Sequence, residues 1–261
     1  LGDVYKRQVW RSYIMSRLWF SILTLIVYGL ALFGPQMLYR AGLFDHFKGK
    51  QLMLTTSYTQ VILMILAALV ILWMNYKIKN KTRLELQPKV QKRYVILWAI
   101  VGLIVVLLYQ IIASLLNHFV FKIDQPSPNT TGIMKIIQEA PIFIVLVAIA
   151  GPFLEEFVFR KVIFGEIFNI LRGNKVIRFI IAGTVSSALF AMAHNDPNFI
   201  LIYFGMGFIL AGFYVYTKRI AVPILIHIFM NSYVVVIQLL FADDLKKMQE
   251  SVSFIFHMIG Y

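Results

Sequence analysis

The sequence predicts an all-α protein, a polytopic transmembrane bundle of seven to eight helices, on three observations. Hydrophobic residues make up 60% of the 261-residue chain and charged residues only 14%, a balance far from that of soluble domains. Apolar runs recur at the length needed to cross a hydrocarbon core, about 20 helical residues. The basic residues gather on alternate sides of those runs.

In chain order the runs are Leu18 to Leu38, Thr56 to Asn75, Tyr94 to His118, Pro141 to Phe159, Phe179 to Ala193, Phe199 to Thr217 and Val222 to Phe241. Ser251 to Tyr261 reads as an eighth helix, interfacial or partial. The chain begins at Leu1, so LGDVYKRQ reads as foreign or internal sequence and takes no part in the fold reasoning. The first run is long and lacks a small-residue cleavage site, which favours a retained anchor over a signal peptide. Phe121 to Gly132, FKIDQPSPNTTG, is rich in Pro and Asn and predicts an irregular outside connection. Arg172 to Lys175, RGNK, predicts the inside turn of a helical hairpin. With no internal repeat or low-complexity linker, four parts are expected: a tail over 1–17, three transmembrane helices over 18–140, a core over 141–241, and a tail or partial helix over 242–261.

The net charge of +13 is explained by where the charges sit. With the N-terminus inside, 18 of the 25 Lys and Arg fall on inside segments: before the first run, between the second and third, from Arg160 to Arg178, and at Lys218 and Arg219. That asymmetry sets topology and suits anionic lipid, and it excludes nucleic acid as the expected partner. The partner this charge pattern leads one to expect is the lipid bilayer. Lys77 to Arg93, KIKNKTRLELQPKVQKR, reads as a solvated polybasic loop. The lysine- and isoleucine-rich composition reads as bacterial, placing the chain in a cytoplasmic membrane. Absence of cysteine removes disulfides, thiolate metal sites and cysteine nucleophiles.

Up to about Ala140 the runs carry almost no ionisable group, whereas those after Pro141 carry Glu155, Glu156, Arg160, Glu166, His194 and His227. A charge at the bilayer centre costs roughly 2.5–3.5 kcal/mol on insertion scales, so these groups are expected to face protein or a wet cavity. Glu156 and Arg160 lie four apart, glutamate first, and pair on one helical face as structural support. Glu155 sits about 100° around the helix without such a partner and is left free to act. Glu155 precedes Arg172 by 17 residues and His194 follows Lys175 by 19, so the two arms of the hairpin carry them to similar depth. His227 and Asn231, in HIFMN, share one helical face and offer two donors for an oxyanion. One conflict stands: His227 is only eight residues beyond Arg219, about 12 Å from the inside surface, unless the hairpin extends past that surface.

Three motifs in this order, Glu155-Glu156-x-x-x-Arg160, Phe190-x-x-x-His194 and His227-x-x-x-Asn231, resemble those of the CPBP family, the CAAX prenyl proteases and bacteriocin-processing enzymes, also called the ABI family. The resemblance covers roughly Pro141 to Gln238. It implies an intramembrane endopeptidase with its catalytic core in 141–241, acting on a membrane-associated protein or peptide, in which Glu155 and His194 activate water and His227 and Asn231 stabilise the oxyanion. Family members are labelled metalloproteases, although a glutamate mechanism without metal is also proposed. Glu155, His194 and His227 offer a carboxylate and two imidazoles to Zn²⁺, but no H-E-x-x-H helix is present. The reading therefore leans against an obligatory metal, and no cofactor is firmly implied.

Blander readings cover the rest. Glu166, His46, His118 and His257 show no partner pattern and read as structural or solvated. Gly205 to Gly212, GMGFILAG, suits close helix packing. Two rival functions bury the same groups: a non-catalytic immunity or scaffold protein of the same fold, and a secondary transporter, which would be expected to show repeat symmetry.

Overall fold

In lipid every backbone polar group must be paired within its own segment, which leaves helices as the form available to these runs. A computed structural model describes residues 2–78 and 81–241, with side chains from Ser16 onward. The expected eighth helix and His257 lie outside the described residues. Among those described there are eight helices and no strand. They are α1 (Gly2–Arg40), α2 (Gly49–Lys77), α3 (Val95–Phe119), α4 (Pro128–Glu139), the composite α5 described below, α6 (Lys175–Ala193), α7 (Ile200–Thr217) and α8 (Ala221–Leu240). Six of them contain a stretch long and apolar enough to span a membrane.

The seventh expected run is α5, which carries the glutamates and is not a regular helix. It is built from five consecutive pieces: an α turn Phe143–Val145, a π segment Leu146–Ala150, an α segment Gly151–Glu155, a second π segment Glu156–Phe164, and an α segment Gly165–Ile170. The wide i→i+5 turns of a π segment are uncommon and concentrate at functional sites. Each wide stretch presents a carbonyl to a neighbouring helix: Asn231 Nδ2 donates to Val147 O at 2.8 Å, and Ser186 Oγ to Phe159 O at 2.6 Å. Helix α5 contributes to all three buried apolar clusters, through Val158 and Phe159, through Ala150, Leu154 and Phe157, and through Phe164 and Phe168. The other spans wrap it: α1 pairs with α2, α6 with α7, and α3 packs on α7 and α8.

Small residues let these helices approach, as GMGFILAG suggests. A Cβ at Gly205 would fall inside the Tyr109 ring of α3, and one at Gly207 would sit 3.1 Å from Ser187 and 3.2 Å from the Arg160 guanidinium.

Two sequence expectations are corrected. Irregular structure was expected through Gly132, but α4 begins at Pro128, because Ser127 caps it by accepting from Thr130 N at 3.1 Å and proline fits the first turn. The stretch from Lys77 to Arg93 was expected to be a solvated loop, but among its described residues it folds back onto the bundle. Leu84 is fully buried beside Phe164, Phe168 and Tyr214. Glu85 pairs with Lys161, and Val90 N donates to Thr217 O at 3.1 Å. An apolar residue and an acid inside a basic run supply the anchor that net charge conceals.

The depth conflict is also resolved. Lys161 lines the same cavity as Lys218 and Arg219, yet α5 runs on to Ile170, so the α5–α6 hairpin projects beyond the α7–α8 turn.

Burial alone would raise the Glu85 carboxyl. The Lys161 ammonium, by charge and hydrogen bond, together with the Thr82 N–H and hydroxyl, outweighs it and holds the group below its usual 4.5. A folded-state value below the unfolded one contributes stability above about pH 4.5 that is lost as the pH falls through the folded value. Glu85→Gln is therefore expected to flatten the acid limb of Tm against pH in detergent, while an unchanged limb would rule out this pair as its source. In the α3–α7 contact, Gly205→Val should cost about 1–3 kcal/mol by overpacking against Tyr109, read as a lowered Tm.

Candidate active site

The site is assembled on α5, α6 and α8. Glu156 and Arg160 are both fully buried, with Arg160 Nη1 3.0 Å from Glu156 Oε1, so the expected ion pair is present. It is more than a local pair, because His227 Nδ1 of α8 also contacts Glu156 Oε1, at 2.9 Å. A carboxylate can only accept, so the imidazole places its Nδ1–H there and turns Nε2 to the other side. There Nε2 lies 3.7 Å from Glu155 Oε2. The adjacent glutamates thus divide their work. Glu156 holds His227 from within the protein, and Glu155, with a side chain 21% exposed, lines a cavity of about 390 Å³.

His194 follows the last residue of α6. Its Nδ1–H donates to Phe190 O at 2.8 Å, one turn back, which fixes the tautomer and leaves Nε2 with a lone pair. The ring stacks on Tyr203 at 4.0 Å and 25°. Phe190 ties the parts together. Its ring lies 4.2 Å beneath the Arg160 guanidinium carbon and meets His227 and His194 edge-on at 5.8 and 4.6 Å. Asn231 lines the same cavity and uses one amide N–H on Val147 O, leaving the other N–H available.

The structure therefore brings Glu155, His194, His227 and Asn231 to one cavity, with Glu156 and Arg160 behind them. The set offered to Zn²⁺ does not fit a metal. Among the described residues no group of three His, Cys, Asp or Glu side chains is placed to hold one.

Residues that sequence reasoning passed over complete the cavity. Tyr28 of α1 lines it, as do Ser127 and Asn129 at the start of α4 and Tyr203 of α7. Asn129 Nδ2 donates to Tyr203 Oη at 3.1 Å, and Ser127 Oγ donates to the buried Asp196 Oδ2 at 2.6 Å. These bonds tie α4 to the segment that carries His194. The one sequence signal was Ser127-Pro128, a cap followed by a first-turn proline.

Spanning helices around a cavity lined by one carboxylate and two imidazoles define an integral membrane protein with a polar cavity inside its bundle. The comparisons narrow that class. Residues 137–233 match the family model described as type II CAAX prenyl endopeptidase Rce1-like. The membrane-embedded CAAX protease MroQ of Staphylococcus aureus (strain USA300) is 48% identical over 244 residues, 94% of this chain and 99% of that protein. The protein named "Putative membrane peptidase YdiL" of Bacillus subtilis (strain 168) is 36% identical over 222 residues, 85% of this chain and 88% of that one. No solved structure matches the chain. The chain belongs to the type II CAAX prenyl endopeptidase family, and is a membrane protease of that family.

Arg160→Met would leave Glu156 as a buried charge with only His227 against it, and is expected to cost about 3–5 kcal/mol. Thermal unfolding in detergent checks this. The double variant Glu156→Gln/Arg160→Met should recover much of the loss, and a double variant as unstable as Arg160→Met would show that the charge pair is not the cause.

Proposed function

We propose that the protein is a glutamate-dependent intramembrane endopeptidase acting on a membrane-associated protein or peptide. One observation carries the reading: Glu155, His194, His227 and Asn231, from α5, the end of α6 and α8, line a single cavity, and His227 is held from behind by the buried Glu156.

Glu155 is the general base. It takes a proton from water held in the cavity as the water oxygen attacks the scissile carbonyl, and His194 Nε2 shares the positioning of that water. The carbonyl oxygen gains negative charge and is met by the free N–H of Asn231 and by His227, for which Nε2 must carry a proton. Collapse of the tetrahedral intermediate breaks the C–N bond, and the proton first taken by Glu155 passes to the leaving amine. No step is routed through a metal, because the donor set does not fit one. Glu156 acts through His227 and is a positioning residue. We place this core in 141–241, with the N-terminus on the cytoplasmic side of a bacterial membrane, where the basic segments favour it. The name of the staphylococcal relative supports a CAAX-type substrate class.

Purified protein in proteoliposomes, incubated with a membrane-anchored peptide bearing a C-terminal CAAX sequence and followed by mass spectrometry, tests the reading. Glu155→Gln and His194→Ala should each lower the cleavage rate by about 10²–10⁴-fold, and Asn231→Ala by about 10²–10³-fold, with Tm within a few degrees of the parent. Cleavage that survives Glu155→Gln would sink the proposal. Substrate flux without cleavage would point to a transporter, and a cellular phenotype intact in both variants to a scaffold.

A further inference from the structure

A second polar cavity of about 270 Å³ lies at the opposite end of the bundle core, and the proteolytic site does not use it. Six cationic side chains line it: Arg17, Lys81, Lys89, Lys161, Lys218 and Arg219. Only two carboxylates answer them, and both are already engaged. Glu166 takes Arg17 Nε at 2.8 and 3.0 Å and Ser21 Oγ at 3.0 Å, and Glu85 takes Lys161. Lys218 adopts a left-handed backbone (φ 57°) and turns its Nζ to the Val215 and Tyr216 carbonyls, while Arg219 Nε donates to Val90 O. Lys81 and Lys89 have no ion pair among the described residues.

The excess positive charge is felt locally. Burial, then the Lys81 ammonium, hold Lys89 below the usual lysine range, with Arg219 and Lys161 adding to this and Glu85 opposing it. Burial and Lys175 act the same way on Lys218. A pocket that concentrates like charges in this way attracts an anion.

The depth of the cavity indicates which anion. Arg17 opens the first apolar stretch of α1, Asn75 lies in the last turn of α2, Thr217 ends α7, and Ala221 opens α8. The apolar stretches of all four helices stop at this level, where the hydrocarbon gives way to headgroups. Phosphate is the anion abundant at that depth, and basic pockets between spanning helices are suited to it.

We propose that this cavity binds a phosphate group, supplied by the headgroup of an anionic phospholipid. The segment from Lys81 to Val90 forms one wall, so the phosphate holds the folded-back strap against α5 and the α7–α8 turn. The proteolytic reading is not needed for this binding.

Full-length protein in nanodiscs, titrated with phosphatidylglycerol into phosphatidylcholine and scored for retained lipid by native mass spectrometry, tests the site. Lys81→Gln/Lys89→Gln changes two exposed side chains and should weaken phosphatidylglycerol retention by about thirty-fold. Lys77→Gln/Lys92→Gln, basic residues at the end of α2 and just before α3 that do not line the cavity, should leave retention within about twofold. A second arm measures Tm in zwitterionic detergent with inorganic phosphate. Stabilisation by phosphate that is lost in Lys81→Gln/Lys89→Gln supports the phosphate site and adds a soluble source. Equal weakening by both double variants, or equal retention of the two lipids with no response to phosphate, overturns the proposal.

Discussion

The structure depends on one buried carboxylate. Glu156 has no exposed surface, and its Oε1 meets both Arg160 of its own helix and His227 of α8. A lone charge at this depth would be prohibitive, and even a paired one barely offsets its desolvation. Its value lies in geometry. Because the cationic partner sits one turn away on the same helix, the charge is carried into the bundle already paired, and the remaining lone pair is available to fix an imidazole from another helix. Once His227 Nδ1 is held, its Nε2 can face only Glu155 and the cavity. A structural ion pair thus sets the orientation of an imidazole that faces the cavity.

The irregularity of α5 follows from the same need. A regular α-helix would present Glu155 and Glu156 to two faces with all carbonyls engaged internally. The π segments broaden the turns before and after the short α segment Gly151–Glu155, so that Val147 O accepts from Asn231 and Phe159 O from Ser186. In lipid, backbone that departs from the α ladder must find partners within the protein, and here the partners come from the two helices that also carry His227 and His194. The departure therefore ties α6 and α8 to α5. Gly207, which leaves room for the Arg160 guanidinium, serves the same approach from α7.

Around that frame the walls of the cavity are lighter. Helix α4 is amphipathic and short, and its N-terminal residues face the cavity through Ser127 and Asn129. Two side-chain hydrogen bonds link it to the segment carrying His194 and Tyr203. The heavier apolar packing lies elsewhere, in the three clusters around α5. The site is therefore rigid on the side of the catalytic candidates and more weakly held on the side of α4.

The sequence by itself determined the class of fold, the spans as apolar runs, the Glu156–Arg160 pairing, and four of the residues gathered at the cavity, Glu155, His194, His227 and Asn231, because hydropathy, residue counting and four-residue spacing need no knowledge of neighbours. It misread the polybasic loop, where net charge hid the burial of Leu84 and the pairing of Glu85 with Lys161, and it carried irregular structure past the cap at Ser127. What only the tertiary structure decided is which atoms of different helices meet: that His227 binds Glu156 by one nitrogen and faces Glu155 by the other, that Tyr203 stacks on His194, and that two carbonyls of α5 accept from α6 and α8. Such contacts depend on helix rotation and relative depth, and both are set by packing across the bundle, which no pattern within a single segment encodes.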